Sequence, residues 1–379
     1  MSYNLMQYDL FSDDLMRAPE TEGIKYAGSK KKLLPQILNL AKKTEARTVL
    51  DGFSGSTRVS QAFARSGYDV ISSDKAVWSE IFGQCYLTAK KPKSYYSELI
   101  SHLNSQPGKE GWFSENYGGA SEENSDSPSI KMPWQLHNTK KLDGIREEID
   151  NLQLSDIDKA VAITSLIMAL DRVDSTIGHF SSYLRKWSPR SFNSLELKVP
   201  NIVYGDGNHS VIKGDIFETL KKVDVDLAYF DPPYGSNNEK MPPSRVRYAA
   251  YYHVWTTICL NDKPDVFGKV NRRQDSRDNS DPSVFEEYRK NTEGRFIAVE
   301  AIKNLILNAS ARYVMLSYSS GGRATSEELY EVMSEAGELM EVIEADHKEN
   351  VMASMKWTHD WLRDAEIPNR EFIFLLKKK

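Results

Sequence analysis

The sequence has few cysteines and no long apolar run, and both absences limit what it can encode. Its two cysteines, Cys85 and Cys259, match no metal-ligand or redox spacing. We therefore expect small buried thiols, no disulfide and no bound metal. No stretch approaches the roughly 18 apolar residues of a membrane span. Residues 1–23 are acidic and lack the features of a secretion signal, so a cytoplasmic protein is expected.

The sequence also lacks a strong positive charge. Its formal net charge is −5 at pH 7, which argues against nonspecific coating of nucleic acid but permits a local basic cleft. Apolar residues make up 40% of the 379 positions and charged residues 27%. This composition is typical of a globular protein that is long enough for two or three packed units.

Short apolar runs that end in polar or glycine-containing turns predict the strands. Five of them are residues 47–53, 68–74, 210–215, 226–231 and 311–319, and two more strands are predicted in 338–348 and 370–379. Helical patterns separate several of these runs, which is typical of right-handed crossovers and a parallel sheet. We predict an α/β fold with a seven-stranded, mainly parallel sheet whose C-terminal pair forms a hairpin.

Two segments interrupt this alternation. Residues 90–204 begin with a polar, glycine-rich stretch and continue into two clear helices, which predicts a helical insertion. Residues 235–293 are polar and contain prolines, which indicates a mobile loop. The predicted division is a first part of the main domain at 1–89, the insertion at 90–204 and the second part at 205–379.

Three acidic residues stand at the predicted carboxyl ends of strands. Asp51 is followed by Gly52 and Gly55, Asp74 ends the second strand, and Asp215 follows the third. Ligands of open α/β sheets bind at this edge, and an acid on the second strand suits the hydroxyls of a ribose. Neither a phosphate-binding lysine motif nor a third glycine is present. The predicted ligand is therefore a nucleoside that carries no phosphate.

The stretch "LAYFDPPYG" at 227–235 adds a reactive turn to this edge. Two prolines stop the strand after Asp231 and fix the direction of the turn. Asp231 and the carbonyl of Pro232 then offer two neighbouring acceptors, which suit an amino group, and Tyr234 offers a flat face for an aromatic ring. A plain surface turn is the alternative interpretation.

The motifs "DPPY" at 231–234, "DGFSGS" at 51–56 and "KYAGSK" at 25–30 together resemble the Dam-like (alpha-group) adenine-specific DNA methyltransferases. The resemblance covers residues 24–88 and 205–235 and, more weakly, 311–379. It implies a Rossmann-like methyltransferase fold, S-adenosylmethionine as the methyl donor and double-stranded DNA as the substrate. It also implies a bacterial or phage modification system in the prokaryotic cytosol or nucleoid, where a cognate restriction endonuclease is a possible partner. Ser29 departs from the family's usual glycine.

The resemblance assigns site residues by position. The first motif is expected to line the methionine end of the cofactor, and the residues after the first strand its floor. Asp74 is expected to bind the ribose, and Asp215 and Ile216 the cofactor's adenine. The expected catalytic group is Asp231, Pro232, Pro233 and Tyr234, with Asp231 also next to the cofactor. The two cofactor-binding motifs contribute Tyr26, Ala27, Gly28, Ser29 and Lys30, and Asp51, Phe53, Ser54 and Gly55.

Two stretches that interleave cations with aromatic residues are the candidate DNA-binding surface. Cations suit phosphate contacts, and aromatic side chains suit stacking or filling the gap left by a flipped base. The alternative is that these aromatic residues face the core. The candidates are Tyr183, Arg185, Lys186, Trp187 and Arg190 in the insertion, and Arg245, Arg247, Tyr248 and Tyr251 after the DPPY motif.

Several other functions stay open at this point. Methylation of the cytosine amine, of RNA or of a protein amide uses similar chemistry, although the resemblance favours adenine where aspartate begins the DPPY motif. Methylation of the cytosine ring needs a cysteine nucleophile, and neither cysteine stands in a suitable motif. A noncatalytic nucleic-acid binder is the alternative outside enzymes. The sequence does not reveal which DNA word is recognised.

Overall fold

A computed structural model describes residues 6–7, 17–120, 132–235, 248–277, 283–346 and 370–379. Among these residues no helix is long and apolar enough to cross a membrane. The same described ranges contain no cluster of histidine, cysteine and acidic side chains that could hold a metal ion.

The main sheet confirms the predicted fold class. Its strands in chain order are β1 (Met6–Gln7), β2 (Thr48–Asp51), β3 (Asp69–Asp74), β4 (Ser210–Lys213), β5 (Val225–Phe230), β6 (Ala311–Ser319), β7 (Gly337–Asp346) and β8 (Arg370–Lys378). Their spatial order is β1-β7-β8-β6-β5-β2-β3-β4. The seven longer strands are the predicted ones, and β1 adds two residues beside β7.

The directions of the strands determine which of their ends meet at one edge of the sheet. The neighbours β6, β5, β2, β3 and β4 are all parallel, so their carboxyl ends meet at one edge. β8 lies between β6 and β7 and is antiparallel to both. The C-terminal pair is therefore antiparallel as predicted, and it brings the start of β8 beside the end of β6.

Alternating side chains on β5 feed two hydrophobic cores, because successive residues of a strand point to opposite faces. Leu227 and Tyr229 pack into one core, and Ala228 and Phe230 into the other. Both faces are covered, which explains the continuous apolar run in the sequence.

Helices cover the two faces. The first face carries α1 (Leu34–Lys42), α2 (Arg58–Arg65) and α3 (Val77–Gly83), and the second carries α8 (Ile216–Leu220), α11 (Ile297–Asn308) and α12 (Ser326–Ala336). The predicted insertion contains α4 (Lys93–Ser105), α5 (Trp112–Tyr117), α6 (Leu136–Asn151) and α7 (Asp156–Val173). Its side chains, including Leu142 and Leu166, share the first core. Its role as a separate recognition domain stays a prediction.

The segment 235–293 is not one continuous loop. Its described part contains α9 (Tyr248–Tyr251), α10 (His253–Leu260) and a ribbon formed by Val266–Phe267 and Arg272–Arg273. Tyr252 and Trp255 are buried in the first core. The apolar faces of these helices therefore anchor the segment to the sheet, and its mobility stays a prediction.

Gly52 permits the close packing of the turn after β2. A Cβ atom at this position would lie 2.7 Å from Cδ1 of Phe230 and 2.9 Å from Cδ1 of Ile216. We expect Gly52→Ala to lower the free energy of unfolding by about 1–3 kcal/mol through overpacking, measured by urea denaturation. Gly205→Ala is the matched control, because a Cβ there meets no atom within 4 Å. Equal unfolding midpoints for both variants would contradict this account.

Candidate active site

Four acidic residues lie along one edge of the sheet. Asp51 ends β2, Asp74 ends β3, Asp231 follows β5, and Asp215 follows β4. Because β5, β2, β3 and β4 are neighbours in that order, the four acids form a row at the carboxyl ends of parallel strands. This is where ligands bind in open α/β sheets.

Asp231 belongs to a charge cluster formed by Lys30, Asp231, Tyr234 and Glu371. Lys30 Nζ lies 2.8 Å from Asp231 Oδ1 and 3.2 Å from Glu371 Oε1. The Tyr234 hydroxyl lies 2.6 Å from Asp231 Oδ1 and 2.9 Å from Glu371 Oε1, and it also contacts Lys30 Nζ. Lys30 and Glu371 are both buried. One cation is therefore shared by two carboxylates at the DPPY turn.

Burial raises the pKa of Asp231 to about 6, with Lys30 lowering it and the like charge of Glu371 raising it. Burial alone lowers the pKa of Lys30, but the two carboxylates more than offset this and the net pKa is raised. Lys30 therefore stays charged, while burial and the neighbouring Glu371 make Asp231 easier to protonate than an exposed aspartate.

Asp51 has one oxygen engaged and one open. Ser60 Oγ donates to Asp51 Oδ2 at 2.6 Å. Oδ1 is buried and has no hydrogen-bond partner in the described part of the chain. Burial raises the pKa of Asp51 to about 7. A buried acceptor without a donor costs free energy, so a ligand donor at this position is favoured.

Asp74 and Asp215 accept backbone hydrogen bonds. Asp74 Oδ2 accepts from the amide of Gly55 at 2.8 Å, and Oδ1 accepts from Ala76 at 2.8 Å. Asp215 caps α8 by accepting from the amide of Phe217 at 2.9 Å. These bonds fix the orientation of both carboxylates at the edge.

The residues of the first motif meet a group of aromatic side chains. The Tyr26 ring stacks on Tyr252 at 5.1 Å between centroids, lies edge-on to Trp78 at 5.6 Å and contacts Tyr248 at 5.4 Å. A Cβ on Gly55 would lie 3.0 Å from the Tyr26 ring. The motif therefore packs against the glycine turn after β2, and its role in cofactor binding stays a prediction.

Backbone contacts hold the same motif in place. The Ala27 amide donates to the Tyr252 hydroxyl at 2.7 Å, and the Ser29 amide donates to Tyr26 O at 3.2 Å. Gly28 has a φ of +82°, a conformation that favours glycine. On the neighbouring turn Ser54 Oγ lies 3.1 Å from Ser79 Oγ.

An aromatic group also lies beside the predicted adenine end. Phe285 stacks on Phe217 at 5.8 Å and lies edge-on to Phe53 at 5.3 Å. Ile216 is buried in the same core. Phe53 packs against the same core that contains Ile216 and Phe285.

The DPPY turn is rigidly held. Pro232 is buried and Pro233 half-buried. The carbonyl of Tyr234 accepts from the Arg323 amide at 2.8 Å and from the Tyr318 hydroxyl at 3.2 Å. The Tyr318 ring meets the Tyr234 ring edge-on at 5.0 Å. Tyr234 is therefore fixed at its ring, carbonyl and hydroxyl.

The predicted DNA-binding residues fall into distinct environments. Arg185 and Lys186 are exposed and make no ion pair among the described residues. Arg190 donates to Asp174 Oδ1 at 2.9 Å and to Thr176 O at 2.7 Å. The Trp187 ring packs against Gly119. Arg185 and Lys186 are the most accessible members of this set.

The aromatic residues Tyr183, Tyr248 and Tyr251 of the predicted DNA-binding set are less exposed than Arg185 and Lys186. The Tyr183 hydroxyl is buried and donates to Val270 O at 2.7 Å. Tyr251 stacks on His179 at 4.2 Å, while Tyr248 lies at the Tyr26 ring, inside the site. Arg245 and Arg247 lie outside the described residues. Contact of any of these residues with DNA stays a prediction.

Sequence patterns missed three side chains of this site, Trp78, Phe285 and Glu371, whereas Tyr252 stands in the aromatic stretch predicted to bind DNA. Trp78 and Tyr252 flank the first motif, and Phe285 follows a polar stretch. Glu371 carries the clearest signal, because a charged residue begins an otherwise apolar strand in "REFIFLL". Such a residue needs a buried partner.

Comparison with known proteins identifies the family. Residues 26–332 match the family model of the D12 class of N6 adenine-specific DNA methyltransferases, well over half of the chain. Type II methyltransferase M.NlaIII of Neisseria lactamica is 25% identical over 323 residues, which cover 82% of this chain and 88% of that protein.

Two longer relatives share the same region. Modification methylase StsI of Streptococcus sanguinis is 27% identical over 330 residues, covering 82% of this chain and 46% of that protein. Type II methyltransferase M.FokI of Planomicrobium okeanokoites is 24% identical over 336 residues, covering 83% and 47%. The chain therefore spans about half the length of these two relatives.

Removing the Lys30 cation should leave Asp231 and Glu371 as buried carboxylates without a counter-ion and so destabilise the fold. We expect Lys30→Met to raise the pKa of Asp231 further and to destabilise the fold by about 3–5 kcal/mol at pH 8. A carboxyl with a raised folded pKa loses stability as the pH rises, so the destabilisation should be smaller at pH 6. Urea unfolding at both pH values measures this difference. Lys221→Met, which removes an exposed ion pair with Glu218, should show no such pH dependence. A pH-independent loss in Lys30→Met would contradict the ion-pair account.

Proposed function

This chain belongs to the D12 class of N6 adenine-specific DNA methyltransferases, and from that premise we propose that it transfers a methyl group from S-adenosylmethionine directly to the exocyclic amine of adenine in double-stranded DNA. One observation carries the proposal: the rigid turn after β5 holds Asp231 and Pro232 at the edge where Asp51 and Asp74 also lie. The names of the relatives support a restriction-modification system. A cognate endonuclease is then the proposed partner, in the prokaryotic cytosol or nucleoid.

The side chains at this edge fit S-adenosylmethionine. The unsatisfied Oδ1 of Asp51 suits a ligand donor, and the Tyr26 ring lies against Gly55 at the same edge. The proposed methionine end is lined by Tyr26–Lys30, the ribose is held by Asp74, and the adenine is held by Asp215 and Ile216. Phe53 and Ser54 complete the floor. When bound, S-adenosylmethionine supplies an electrophilic methyl group.

The protein's contribution is to make the adenine amine nucleophilic. The lone pair of the adenine amine is delocalised into the ring. Acceptors that pull on both N–H hydrogens of the amine favour its tetrahedral, nucleophilic form. Oδ1 of Asp231 already accepts from Lys30 and Tyr234, so Oδ2 and the Pro232 carbonyl are the acceptors assigned to the amine. The prolines fix both acceptors in advance, which avoids reorganisation during the reaction. As the new N–CH3 bond forms, the S–CH3 bond of the donor would break and leave neutral S-adenosylhomocysteine, and the nitrogen would release one proton to Asp231 or water.

Reaction at a base requires that base to leave the duplex stack, at a cost of a few kcal/mol that protein contacts must offset. We assign these DNA contacts to the insertion at 90–204. Arg185 and Lys186 are the proposed phosphate contacts, and Tyr183, Trp187 and Arg190 are the other proposed members of this DNA-binding surface. Arg245, Arg247, Tyr248 and Tyr251, which follow the DPPY motif in sequence, are proposed to contribute to DNA binding as well.

Asp231→Ala should abolish turnover, with a loss in kcat of about 100-fold or more, since an oriented acceptor in the transition state is removed. Calorimetric binding of S-adenosylmethionine and DNA binding by gel shift should persist. Asp224→Ala, which changes an exposed carboxylate before β5, serves as the control. Retained turnover in Asp231→Ala would remove Asp231 from the chemistry, and wild-type protein that binds no S-adenosylmethionine would overturn the function.

The double variant Arg185→Ala/Lys186→Ala should weaken DNA binding. The slope of the logarithm of the binding constant against the logarithm of salt concentration should fall by about 2, since two phosphate contacts are lost. Fluorescence anisotropy across a salt series measures both quantities. Lys221→Ala/Lys222→Ala removes an equally exposed pair of cations at α8 and should leave the salt slope unchanged. Identical slopes in the two double variants would place the DNA elsewhere.

A further inference from the structure

Glu371 is a buried carboxylate to which the proposed reaction assigns no step. It is 2% exposed and lies near the start of β8, opposite Ser319 of β6 and Ala345 of β7. The five residues that follow it, 372–376, are buried apolar side chains. Burying a carboxylate is costly unless it is paired, and both partners found for this one belong to the candidate active site.

Glu371 and Asp231 share the same two hydrogen-bond donors. Lys30 Nζ lies 3.2 Å from Glu371 Oε1 and 2.8 Å from Asp231 Oδ1. The Tyr234 hydroxyl lies 2.9 Å from the first oxygen and 2.6 Å from the second. The two carboxylates therefore compete for the same donors.

In the charge cluster, Lys30 and Tyr234 contact more acceptors than they have hydrogens to donate. Lys30 has three ammonium hydrogens and contacts Gly28 O, the Tyr234 hydroxyl and both carboxylates. Tyr234 has one hydroxyl hydrogen and two carboxylates to which it can donate. At any moment this hydrogen points to Asp231 or to Glu371. Glu371 is thus a second acceptor for the Tyr234 hydroxyl beside Asp231.

Building on the proposed function, we infer that Glu371 is a positioning residue for methyl transfer. It holds Lys30 and Tyr234 in place, so that these two donors keep Oδ1 of Asp231 oriented while Oδ2 receives the target amine. Because it projects from a strand paired on both sides, it supports the DPPY turn from a rigid element.

Its charge also affects the reactive carboxyl. Asp231 must be ionised to accept from the amine, so the rate falls as the pH drops through its pKa. Glu371 raises that pKa and Lys30 lowers it. The other titratable groups near Asp231 are Tyr234, Asp51, Tyr229, Tyr26 and Tyr248. Removing the charge of Glu371 should therefore move the acid limb of the rate profile to lower pH.

The test compares Glu371→Gln and Glu371→Asp with Glu341→Gln, a β7 variant whose glutamate pairs with the half-exposed Lys43. Methyl transfer to DNA is measured from pH 5 to pH 8, with circular dichroism as the folding control. We expect Glu371→Gln to lower kcat by about tenfold or more, the cost of one charge-assisted hydrogen bond, and to shift the acid limb of kcat/KM to lower pH. Glu371→Asp keeps the charge and should keep the acid limb at its wild-type pH while lowering kcat.

The outcomes distinguish failure of the positioning role of Glu371 from failure of the proposed methyl transfer. Folded, active Glu371→Gln with the kcat and acid limb of Glu341→Gln overturns the positioning role while leaving the proposed function intact. The same acid-limb shift in Glu371→Asp and Glu371→Gln also overturns it, because charge would then not be the cause. If Glu371→Gln does not fold, a wild-type kcat in folded Glu371→Asp overturns the role and a lowered kcat supports it. Wild-type protein without methyl transfer at any pH refutes the proposed function itself.

Discussion

The sharing of Lys30 between Asp231 and Glu371 is the interaction on which the rest of the site depends. It joins the segment before α1, the turn after β5 and the start of β8, three parts of the chain that are far apart in sequence. In a buried environment two carboxylates without a cation would be strongly unfavourable. The ion pair therefore couples folding of the sheet to assembly of the DPPY turn, and it leaves Asp231 with a pKa of about 6.

The sheet supplies the second constraint. Parallel pairing of β5, β2 and β3 places Asp231, Asp51 and Asp74 along one edge. The packing of Tyr26 against Gly55 then brings the first motif to that edge. A nucleoside cofactor and an amine can be held next to each other because the backbone turns, and not long flexible side chains, fix the acceptors.

Much of this arrangement follows from local sequence. Apolar runs predicted seven strands, since strands covered on both faces leave a continuous apolar signal, and the acids after them marked the edge. For Glu371 the sequence shows only a charged residue at the start of an apolar strand; its partners Lys30 and Tyr234 depend on β8 lying between β6 and β7, a long-range pairing. The environments of Arg190 and Tyr183 likewise depend on Asp174 and Val270, which the chain brings close only after folding. Aromatic and cationic residues look alike in sequence whether they face DNA or the core.

The central claim is transfer of a methyl group to the exocyclic amine of adenine. The most direct measurement is mass spectrometry of nucleosides from duplex DNA incubated with the purified protein and S-adenosylmethionine carrying an isotopically labelled methyl group. The account predicts labelled N6-methyladenine that requires both the protein and the cofactor. Label found only in cytosine, or no label in DNA under conditions where the protein binds both substrates, would contradict it.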